Sequence, residues 1–507
     1  MRAPGVVWFK RDLRVADHPP LAEAATRGPV LALYVIEPEL WQQPDSSGRH
    51  WQWLRARLQS LAAELGQLGL PLCILRGEVP EMLRQIQEET GIAALYSHEE
   101  VGNAWTYARD RRVAAWLRKE GIPWYEFPQD GVVRPLRDRD LWQTQRDRFM
   151  RAPIPPTPST IFSAGLPRGS IDPEQLPEWP SPHLGDGLAS KHLPLATPRR
   201  AQDLVSDFLV NRQRHYLRGM SSPISAQRYC SRLSPYLALG IVSSRQVVQA
   251  VTAAQRQQPG QRGLQGLQAR LAWRGHFMQK LEDEPRIEFE NLQHALDGLR
   301  EAEFDAARFH AWARGETGFP LVDACMRFLQ ATGWINFRMR AMLVSFSSYA
   351  LWLHWREPAL HLARLFLDYE PGIHYPQVQM QAGTTGINAL RIYNVTKQAQ
   401  ELDPEGEFIR RWVPELAQLP APWVQQPWLL PESSAKRLGV VLGENYPFPI
   451  VSLAQATRHA RGRILAARRE ITARQEAQQT LQRHGSRKRS SRAARAPDDG
   501  RQLDLFS

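Results

Sequence analysis

The sequence predicts two domains of different class, an α/β domain with a parallel sheet at the N-terminus and an all-helical domain after it. Over residues 1–130, short apolar runs alternate with amphipathic stretches of helical period, which is typical of a parallel sheet covered by helices on both faces. From residue 201 to about residue 450, almost every segment has helical periodicity. At 507 residues, the chain is long enough for each domain to bury its own core.

Five strands are predicted in the N-terminal domain, because each is a short apolar run bounded by turn residues. Amphipathic stretches near residues 49–68, 80–90 and 103–120 separate them, so we expect a Rossmann-like sheet. No GxGxxG motif follows the first strand, so the dinucleotide-binding fingerprint is absent. The predicted strands are GVVWF, PVLALYVIE, PLCILRG, AALYSH and PWYEF.

Two further segments differ in composition from these domains. Residues 150–200 are rich in Pro, Gly and Ser, which predicts a long interdomain connector, placed at residues 131–200. Residues 451–507 form a basic tail, and we predict disorder beyond about residue 480, where apolar side chains are few and charges many. From residue 461 onward, twelve Arg or Lys accompany five Asp or Glu, so the tail supplies seven of the twelve net positive charges. This basic balance favours a polyanionic partner such as nucleic acid.

The cysteines and the apolar runs bear on the class of protein. Cys73, Cys230 and Cys325 are far apart, so neither a disulfide framework nor a four-cysteine cluster fits. No run of about eighteen apolar residues appears, and Met1 leads into an apolar strand without the pattern of a signal peptide. We therefore expect a cytoplasmic monomer without a membrane segment or a metal site.

The helical segment at residues 315–410 places Arg, Trp, Asp and Gln within otherwise apolar stretches. Arg338 and Arg340 lie close to Trp334 in sequence, and Asp368 ends the next predicted helix. A buried guanidinium needs an anion, so a carboxylate or an anionic cofactor must lie nearby. The segment therefore predicts a ligand site inside the helical domain.

This segment is similar to the flavin-binding half of the photolyase and cryptochrome family, and the resemblance covers roughly residues 5–450. The opening WFKRDLRVADHPPL resembles the antenna-domain signature of the family over residues 8–17. The resemblance implies an FAD cofactor, an antenna chromophore of folate or deazaflavin type, and light-driven repair of pyrimidine dimers in damaged DNA by an electron from reduced flavin. The alternatives are a blue-light photoreceptor without repair activity, a repair enzyme for 6-4 photoproducts, and a DNA-binding flavoprotein tethered by its tail.

The resemblance also assigns the residues that hold the flavin. SAQRYCSRLSPYLALG at residues 225–240 matches the phosphate and ribityl loop, and Arg340 with Asp368 matches the ion pair beside the isoalloxazine ring. His374 falls where the family presents a side chain to flavin N5, which implies redox chemistry that depends on pH near neutrality. The alternatives are an interhelical salt bridge and ordinary serine N-caps. The implied cofactor-binding residues are Tyr216, Ser231, Arg232, Leu233, Ser234, Arg340, Asp368 and Glu370.

Photolyases reduce their flavin through three tryptophans, and Trp312 and Trp355 match the outer and middle positions. The flavin-proximal position falls on Val378, and an aliphatic side chain cannot carry an electron. The implied catalytic residues are therefore Trp312, Trp355 and His374, unless the two tryptophans only fill the core. The candidate replacements for the proximal tryptophan are Trp352, Tyr375 and Tyr349.

The resemblance places a lesion-binding surface beside the flavin. Trp273 matches the tryptophan on which a flipped lesion stacks. Arg270 and Phe337 depart from the Glu and Asn of enzymes that repair cyclobutane dimers, and a cation reverses the hydrogen-bond pattern offered to a thymine edge. Other polar residues suit phosphate contacts. The predicted DNA-binding residues are Arg270, Trp273, Phe337, Arg338, Arg391, Lys397 and Gln398.

The last residues, GRQLDLFS, resemble the peptide by which bacterial repair and replication proteins dock on the sliding clamp. A Gln and spaced apolar side chains on an extended tail can fill a preformed groove. The alternative is a chance apolar end on a basic tail. The predicted clamp-binding residues are Gln502, Leu503, Asp504, Leu505 and Phe506.

Overall fold

The N-terminal domain contains a five-stranded parallel sheet with the strand order β3-β2-β1-β4-β5. The computed structural model describes residues 2–179 and 193–486. All five predicted strands are confirmed as β1 (Gly5–Trp8), β2 (Val30–Ile36), β3 (Leu72–Arg76), β4 (Ala94–His98) and β5 (Trp124–Phe127). The connecting helices are α1 (Pro19–Arg27), α2 (Gly48–Gln67), α3 (Val79–Thr90) and α4 (Ala104–Glu120).

Helices cover both faces of this sheet, as the alternation of strand side chains requires. Val7 of β1 packs in one core with α1 and α2, whereas Val6 and Trp8 pack in another with α3 and α4. The strand order reverses between β1 and β4, and in such sheets a crevice opens at the carboxyl ends of the strands. That edge faces the helical domain.

The predicted helical character of residues 201–450 is confirmed in the described part of the chain. A π-helical turn at Phe346–Ala350 follows one of these helices. None of the described helices is both long and apolar enough to cross a membrane. The α-helices after the sheet are α5 (Trp142–Arg151), α6 (Pro198–Val210), α7 (Tyr216–Gly219), α8 (Ser225–Tyr229), α9 (Ser234–Ala238), α10 (Ser244–Gln257), α11 (Arg262–Asp283), α12 (Ala306–Arg314), α13 (Pro320–Thr332), α14 (Phe337–Ser345), α15 (Arg356–Leu365), α16 (Pro371–Ala382), α17 (Val395–Leu402), α18 (Glu407–Trp412), α19 (Glu432–Arg437), α20 (Leu453–Arg469) and α21 (Ile471–His484).

The segment predicted as a connector has regular structure in part. Helix α5 lies inside it, and its next stretch runs along the sheet. The backbone N–H of Val30 donates to Phe162 O at 2.8 Å, and that of Ile171 donates to Ile74 O at 2.7 Å. These bonds hold the first part of the connector against the N-terminal domain.

The segment predicted as a basic tail begins with two helices. Ala460 and Ile464 of α20 are buried against Tyr349 and Trp352, because their i, i+4 spacing puts both on one helix face. Helix α21 continues to His484, so the predicted onset of disorder near residue 480 is wrong for the last turn of that helix. The remaining residues of the tail, including the predicted clamp-binding peptide, lie outside the described part of the chain.

Buried polar side chains join the two domains. Asp17, which follows β1, forms an ion pair with Arg245 of α10 and accepts a hydrogen bond from the hydroxyl of Ser243. On α2, Arg49 donates to Leu365 O at 2.7 Å, and His50 Nε2 donates to Phe366 O at 2.9 Å. The domains are therefore fixed relative to each other by specific hydrogen bonds.

Candidate functional site

A cavity of about 260 Å³, the central cavity, opens in the helical domain between the α7–α9 segment, α11, α14 and the start of α16. Every residue predicted to bind the cofactor lines it, together with the predicted DNA-binding residues Arg270, Trp273 and Phe337. A smaller inner compartment of about 50 Å³ adjoins it and shares Arg340 and Asp368. The predicted cofactor residues in the wall are Tyr216, Ser231, Arg232, Leu233, Ser234, Arg340, Asp368 and Glu370.

The ion pair of Arg340 and Asp368 lies where the two cavities meet. Arg340 donates from Nη1 to Asp368 Oδ1 at 3.0 Å and from Nη2 to Oδ2 at 2.8 Å. Its Nε donates to Ile335 O at 2.8 Å, and its guanidinium lies 4.1 Å from the ring centroid of Phe366. The two hydrogen bonds to Asp368, the one to Ile335 O and the contact with the Phe366 ring together fix the plane of the Arg340 guanidinium. The ion pair therefore presents a charged edge of fixed orientation to the cavity.

Glu370 lines the central cavity but is itself paired. Arg274 of α11 binds both of its carboxylate oxygens and also contacts Asp130 at 3.3 Å. Burial lowers the pKa of Arg274, but Glu370 and Asp130 outweigh that effect and raise it. Arg274 is not among the site residues predicted from the sequence, although it directly follows Trp273 on α11.

Arg232 is the cation in the cavity wall with the strongest need of an anion. Its backbone is left-handed, with φ of 59°, which turns the chain between Ser231 and α9. Its guanidinium lies 3.8 Å from the ring centroid of Trp334, and burial lowers its pKa. Within residues 2–179 and 193–486, it forms no ion pair with a carboxylate. An anionic ligand would satisfy it.

Tyr216, Arg270 and Trp273 form the opposite part of the wall. Burial raises the pKa of Tyr216 to about 12, so this phenol stays protonated and can donate a hydrogen bond. The guanidinium of Arg270 lies next to it and contacts the sulfur of Met220 at 3.8 Å. Trp273 packs its ring against His276 at 5.1 Å. A flat ligand can therefore stack on the ring of Trp273, which the contact with His276 holds in place.

His374 lines the inner compartment rather than the central cavity. Its Nε2–H donates to Ala359 O at 2.8 Å, and burial lowers its pKa to about 4. The expectation that this residue titrates near neutral pH is therefore wrong, because desolvation disfavours the charged ring. At neutral pH the ring is neutral, with the proton on Nε2.

The two tryptophans predicted to carry the electron, Trp312 and Trp355, have different surroundings in the structure. Trp312 is fully buried and packs against Phe309 and His361, whereas Trp355 donates from Nε1 to Asn291 Oδ1 at 2.7 Å. Val378 lines the inner compartment beside Arg340 and Asp368. An aliphatic side chain therefore occupies the wall where the resemblance implies the proximal tryptophan.

The remaining predicted DNA contacts lie outside the central cavity and differ in exposure. Arg338 and Arg391 are half-buried, and Lys397 is exposed and lies 3.7 Å from Glu401. Gln398 is buried at 7% exposure, because it lies on the inner face of α17. Gln398 is therefore in no position to contact DNA phosphates in this conformation, which corrects that assignment.

A second pocket, the interdomain pocket, has a volume of about 120 Å³ and lies at the carboxyl edge of the sheet. Its wall includes Trp8, Trp41 and Asn103 from the N-terminal domain and Tyr369 from the helical domain. Arg109 bridges Glu37 and Glu100 inside it, at 2.9 and 2.5 Å. This is the crevice that the strand order predicts, lined by aromatic side chains and balanced charges.

Asp12, His18 and His98 bring three ligand atoms within 4.8 Å of one another. Hydrogen bonds already use these atoms, because Asp12 Oδ2 accepts from His18 Nε2 at 3.0 Å and from His98 Nδ1 at 2.7 Å. His18 Nδ1 also accepts from the backbone of Leu21 at 3.1 Å and caps α1. Folding alone accounts for this cluster.

Comparison with known proteins agrees with this geometry. Residues 5–140 match the family model for DNA photolyase, and residues 267–466 match that for the FAD binding domain of DNA photolyase. A cryptochrome DASH of Gloeobacter violaceus is 30% identical over 89% of this chain and 93% of its own. A deoxyribodipyrimidine photo-lyase of Agrobacterium fabrum is 28% identical over 90% of this chain and 97% of its own. The crystal structure of a class III photolyase from Agrobacterium tumefaciens has a TM-score of 0.81 at 26% identity, covering 93% of this chain and 98% of that one.

An α/β domain joined to a helical domain with a charged, aromatic cavity defines a two-domain flavoprotein. The helical domain is an FAD-binding domain. The chain belongs to the DNA photolyase and cryptochrome family.

The residues of the central cavity fit FAD. Arg232 offers a guanidinium group to a diphosphate, and Trp334 offers an aromatic surface for a flat ring. The pair of Arg340 and Asp368 presents donors and a carboxylate at the inner end. Both sequence alternatives are compatible with this geometry, since Arg340 and Asp368 also form an interhelical salt bridge.

Replacement of Asp368 by Ala leaves the Arg340 guanidinium beside the flavin without its carboxylate. We expect loss of bound FAD or a decrease of about 3 kcal/mol in the free energy of unfolding. Flavin absorbance per chain and denaturant unfolding measure the two effects. The control is Glu432→Ala, which breaks the exposed pair with Lys436 and should change neither. Full occupancy and unchanged stability in Asp368→Ala would contradict the assignment.

The low pKa of His374 predicts a pH effect on stability. The pKa is about 4 in the native protein and about 6.5 when unfolded, so between these values only the unfolded state binds the proton. The contribution is complete above pH 6.5 and is lost as the pH falls toward 4.

Relative to His374→Gln, which keeps a donor for Ala359 O, the native protein should lose about 2 kcal/mol between pH 7 and pH 5. Denaturant unfolding of both proteins at the two pH values measures this difference. Equal losses in the two proteins would show that the pKa of His374 is the same in the native and unfolded states.

Proposed function

We propose that the protein repairs pyrimidine dimers in DNA with light, using reduced FAD as the electron donor. The observation that supports this most directly is the position of Trp273 in the wall of the cavity that also contains the predicted flavin-binding residues. A nucleotide flipped into this cavity would stack on Trp273. Reduced FAD held by the residues of this cavity would supply the electron that breaks the bonds of the dimer.

Each part of the wall has a separate task in this proposal. Arg232 and the Ser231 segment bind the diphosphate, and Arg340 with Asp368 orients the flat ring and stabilises negative charge on it. Trp273 holds the flipped base by stacking. The apolar side chains of Leu267 and Ile335 in the same wall exclude water from the bound ligand.

The charges of the cavity wall favour a lesion contact different from that of enzymes for cyclobutane dimers. The carboxylates in the wall, Asp368 and Glu370, are each paired with an arginine, and Arg270 stands where those enzymes place an acceptor. A thymine N–H therefore meets no unpaired carboxylate in the wall. The 6-4 photoproduct is therefore the second candidate substrate beside the cyclobutane dimer, and a blue-light photoreceptor without repair activity is the alternative if neither lesion is repaired.

The test is light-dependent repair of oligonucleotides that contain one defined cyclobutane dimer or one 6-4 photoproduct. The reduced protein should restore the bases only under illumination. Trp273→Ala should abolish repair and weaken lesion binding by about 1–3 kcal/mol, which is the usual value of one base–aromatic stack, with flavin content unchanged. Trp352→Phe, in a cluster far from the cavity wall, is the control and should repair normally. Absence of repair of both lesions by the flavin-loaded native protein would overturn the repair function.

The interdomain pocket is our candidate site for an antenna chromophore. It is lined by aromatic rings and has balanced charges. Tyr369 lines both this pocket and the inner compartment, so only this one side chain lies between them. A flat pigment of folate or deazaflavin type matches this chemistry. The short separation would allow transfer of excitation energy to the flavin.

The predicted clamp-binding peptide supports a role in repair. Gln502, Leu503, Leu505 and Phe506 follow an Arg-rich segment at the end of the chain. In an extended peptide these apolar side chains can enter a groove on the bacterial sliding clamp. Docking there would bring the protein to DNA that is being replicated.

The full-length protein should bind the purified bacterial clamp, and replacement of both Leu505 and Phe506 by Ala should abolish binding, because the groove contacts are lost. Titration followed by fluorescence anisotropy measures the affinity. The matched control replaces Arg492 and Arg495 by Ala, which changes the charge of the tail but keeps the peptide. Equal affinity of the native and the Leu505/Phe506 variant would exclude clamp docking through this peptide.

A further inference from the structure

The side chain of Val378 leaves the inner compartment without an aromatic ring at the position of the proximal tryptophan. Another residue of the same compartment, Tyr369, has the required chemistry. Its ring lies 5.3 Å from that of His374 and 6.4 Å from that of Tyr375, measured between centroids. Tyr375 in turn lies 6.5 Å from Trp355. The rings of Tyr369, Tyr375 and Trp355 therefore form a continuous series that starts at the inner compartment.

A tyrosine must release its phenol proton when it gives up an electron. Tyr369 can therefore serve as an electron donor only if its hydroxyl has a proton acceptor beside it. Its hydroxyl donates to Asp45 Oδ2 at 2.5 Å. The hydroxyl oxygens of Tyr369 and Tyr375 are 3.2 Å apart, and since Tyr369 donates to Asp45, Tyr375 donates to Tyr369. Each phenol proton thus has an acceptor, and the series of acceptors ends on a carboxylate.

Asp45 is held in place to receive this proton. Asn103 Nδ2 lies 3.1 Å from Asp45 Oδ2 and 3.3 Å from Oδ1, and Asp45 is buried at 3% exposure. Burial, followed by the charge of Asp45, raises the pKa of Tyr369 well above its ordinary value. In the resting protein the proton therefore stays on the phenol, and only oxidation of the ring transfers it.

The other two candidate replacements lack these features. Tyr349 is buried, and within residues 2–179 and 193–486 its hydroxyl has no hydrogen-bond partner that could accept its proton. Trp352 lies under two guanidiniums, with Arg300 at 4.7 Å and Arg463 at 5.4 Å from its ring centroid. Two adjacent cations disfavour a further positive charge on the oxidised ring. Both residues belong to the cluster beneath α20.

We propose that Tyr369 is the immediate electron donor to the bound flavin and that Asp45 is the base that accepts its proton. This proposal rests on the binding of FAD in the central cavity and inner compartment. On illumination, one electron leaves Tyr369 for the flavin, and the phenol proton moves to Asp45 Oδ2, which leaves a neutral tyrosyl radical and a carboxylic acid. Tyr375 and Trp355 then pass an electron inward from a thiol reductant in solution, and the proton returns from Asp45 to Tyr369.

The test compares the flavin-loaded native protein with Tyr369→Phe, which keeps the ring but removes the phenol. The flavin is excited directly, with a thiol present or absent, and absorbance follows its reduction. The second readout is electron paramagnetic resonance of frozen, illuminated protein grown with ring-deuterated tyrosine, which narrows a tyrosyl signal. Tyr349→Phe is the matched control, because it removes another buried phenol of the helical domain.

We expect Tyr369→Phe to lose photoreduction and the tyrosyl signal while it keeps its FAD, and Tyr349→Phe to behave as the native protein. Asp45→Asn should slow photoreduction and remove its solvent deuterium isotope effect. Normal photoreduction of Tyr369→Phe, or a radical located on tryptophan in the native protein, would overturn the proposal. Absence of FAD from the native protein would instead refute the proposed function.

Discussion

The contact between the N-terminal domain and the segment that joins α15 to α16 is the constraint on which both sites depend. Carbonyl oxygens of this segment accept hydrogen bonds from His50 and Arg11 of the other domain, and the carbonyl of the last residue of α15 accepts one from Arg49. The same short segment carries Asp368, which pairs with Arg340, and Tyr369, which lines both the interdomain pocket and the inner compartment. The docking of one domain on the other therefore positions the cofactor site and connects it to the interdomain pocket.

This contact uses buried side-chain donors, two arginines and a neutral histidine, that bind backbone carbonyls, and their burial has an energetic consequence. Burial lowers the pKa of Arg49 to about 10 and that of His50 to about 4, so desolvation is only partly offset by hydrogen bonds. Separation of the domains would leave the carbonyls free to bind water, but the apolar side chains around them would be exposed. These hydrogen bonds therefore make the interface specific in geometry.

The periodic parts of the fold could be predicted from the sequence, and the partners of individual side chains could not. The strands can be predicted because each is a short apolar run. The pairing of Arg340 with Asp368 can be predicted because the family resemblance assigns both positions. The pairing of Glu370 with Arg274 depends on the packing of α16 against α11, which no local pattern contains. Gln398 was misassigned for the same reason, since a short helix with mixed residues does not show which face is buried.

The departures of this chain from the family pattern lie in the cavity walls, whereas the residues expected to hold the cofactor match. Arg270 and Phe337 change what a lesion would meet in the central cavity, and Val378 changes what the flavin would meet in the inner compartment. If the flavin had only a structural role, a buried phenol with a carboxylate acceptor would not be needed in the wall of its compartment. The hydrogen bond from Tyr369 to Asp45 supplies such an acceptor, so the loss of one aromatic ring is accompanied by another that can give up both an electron and a proton. The altered walls therefore support the proposed substrate contacts and the proposed electron donor within the flavin chemistry of the family.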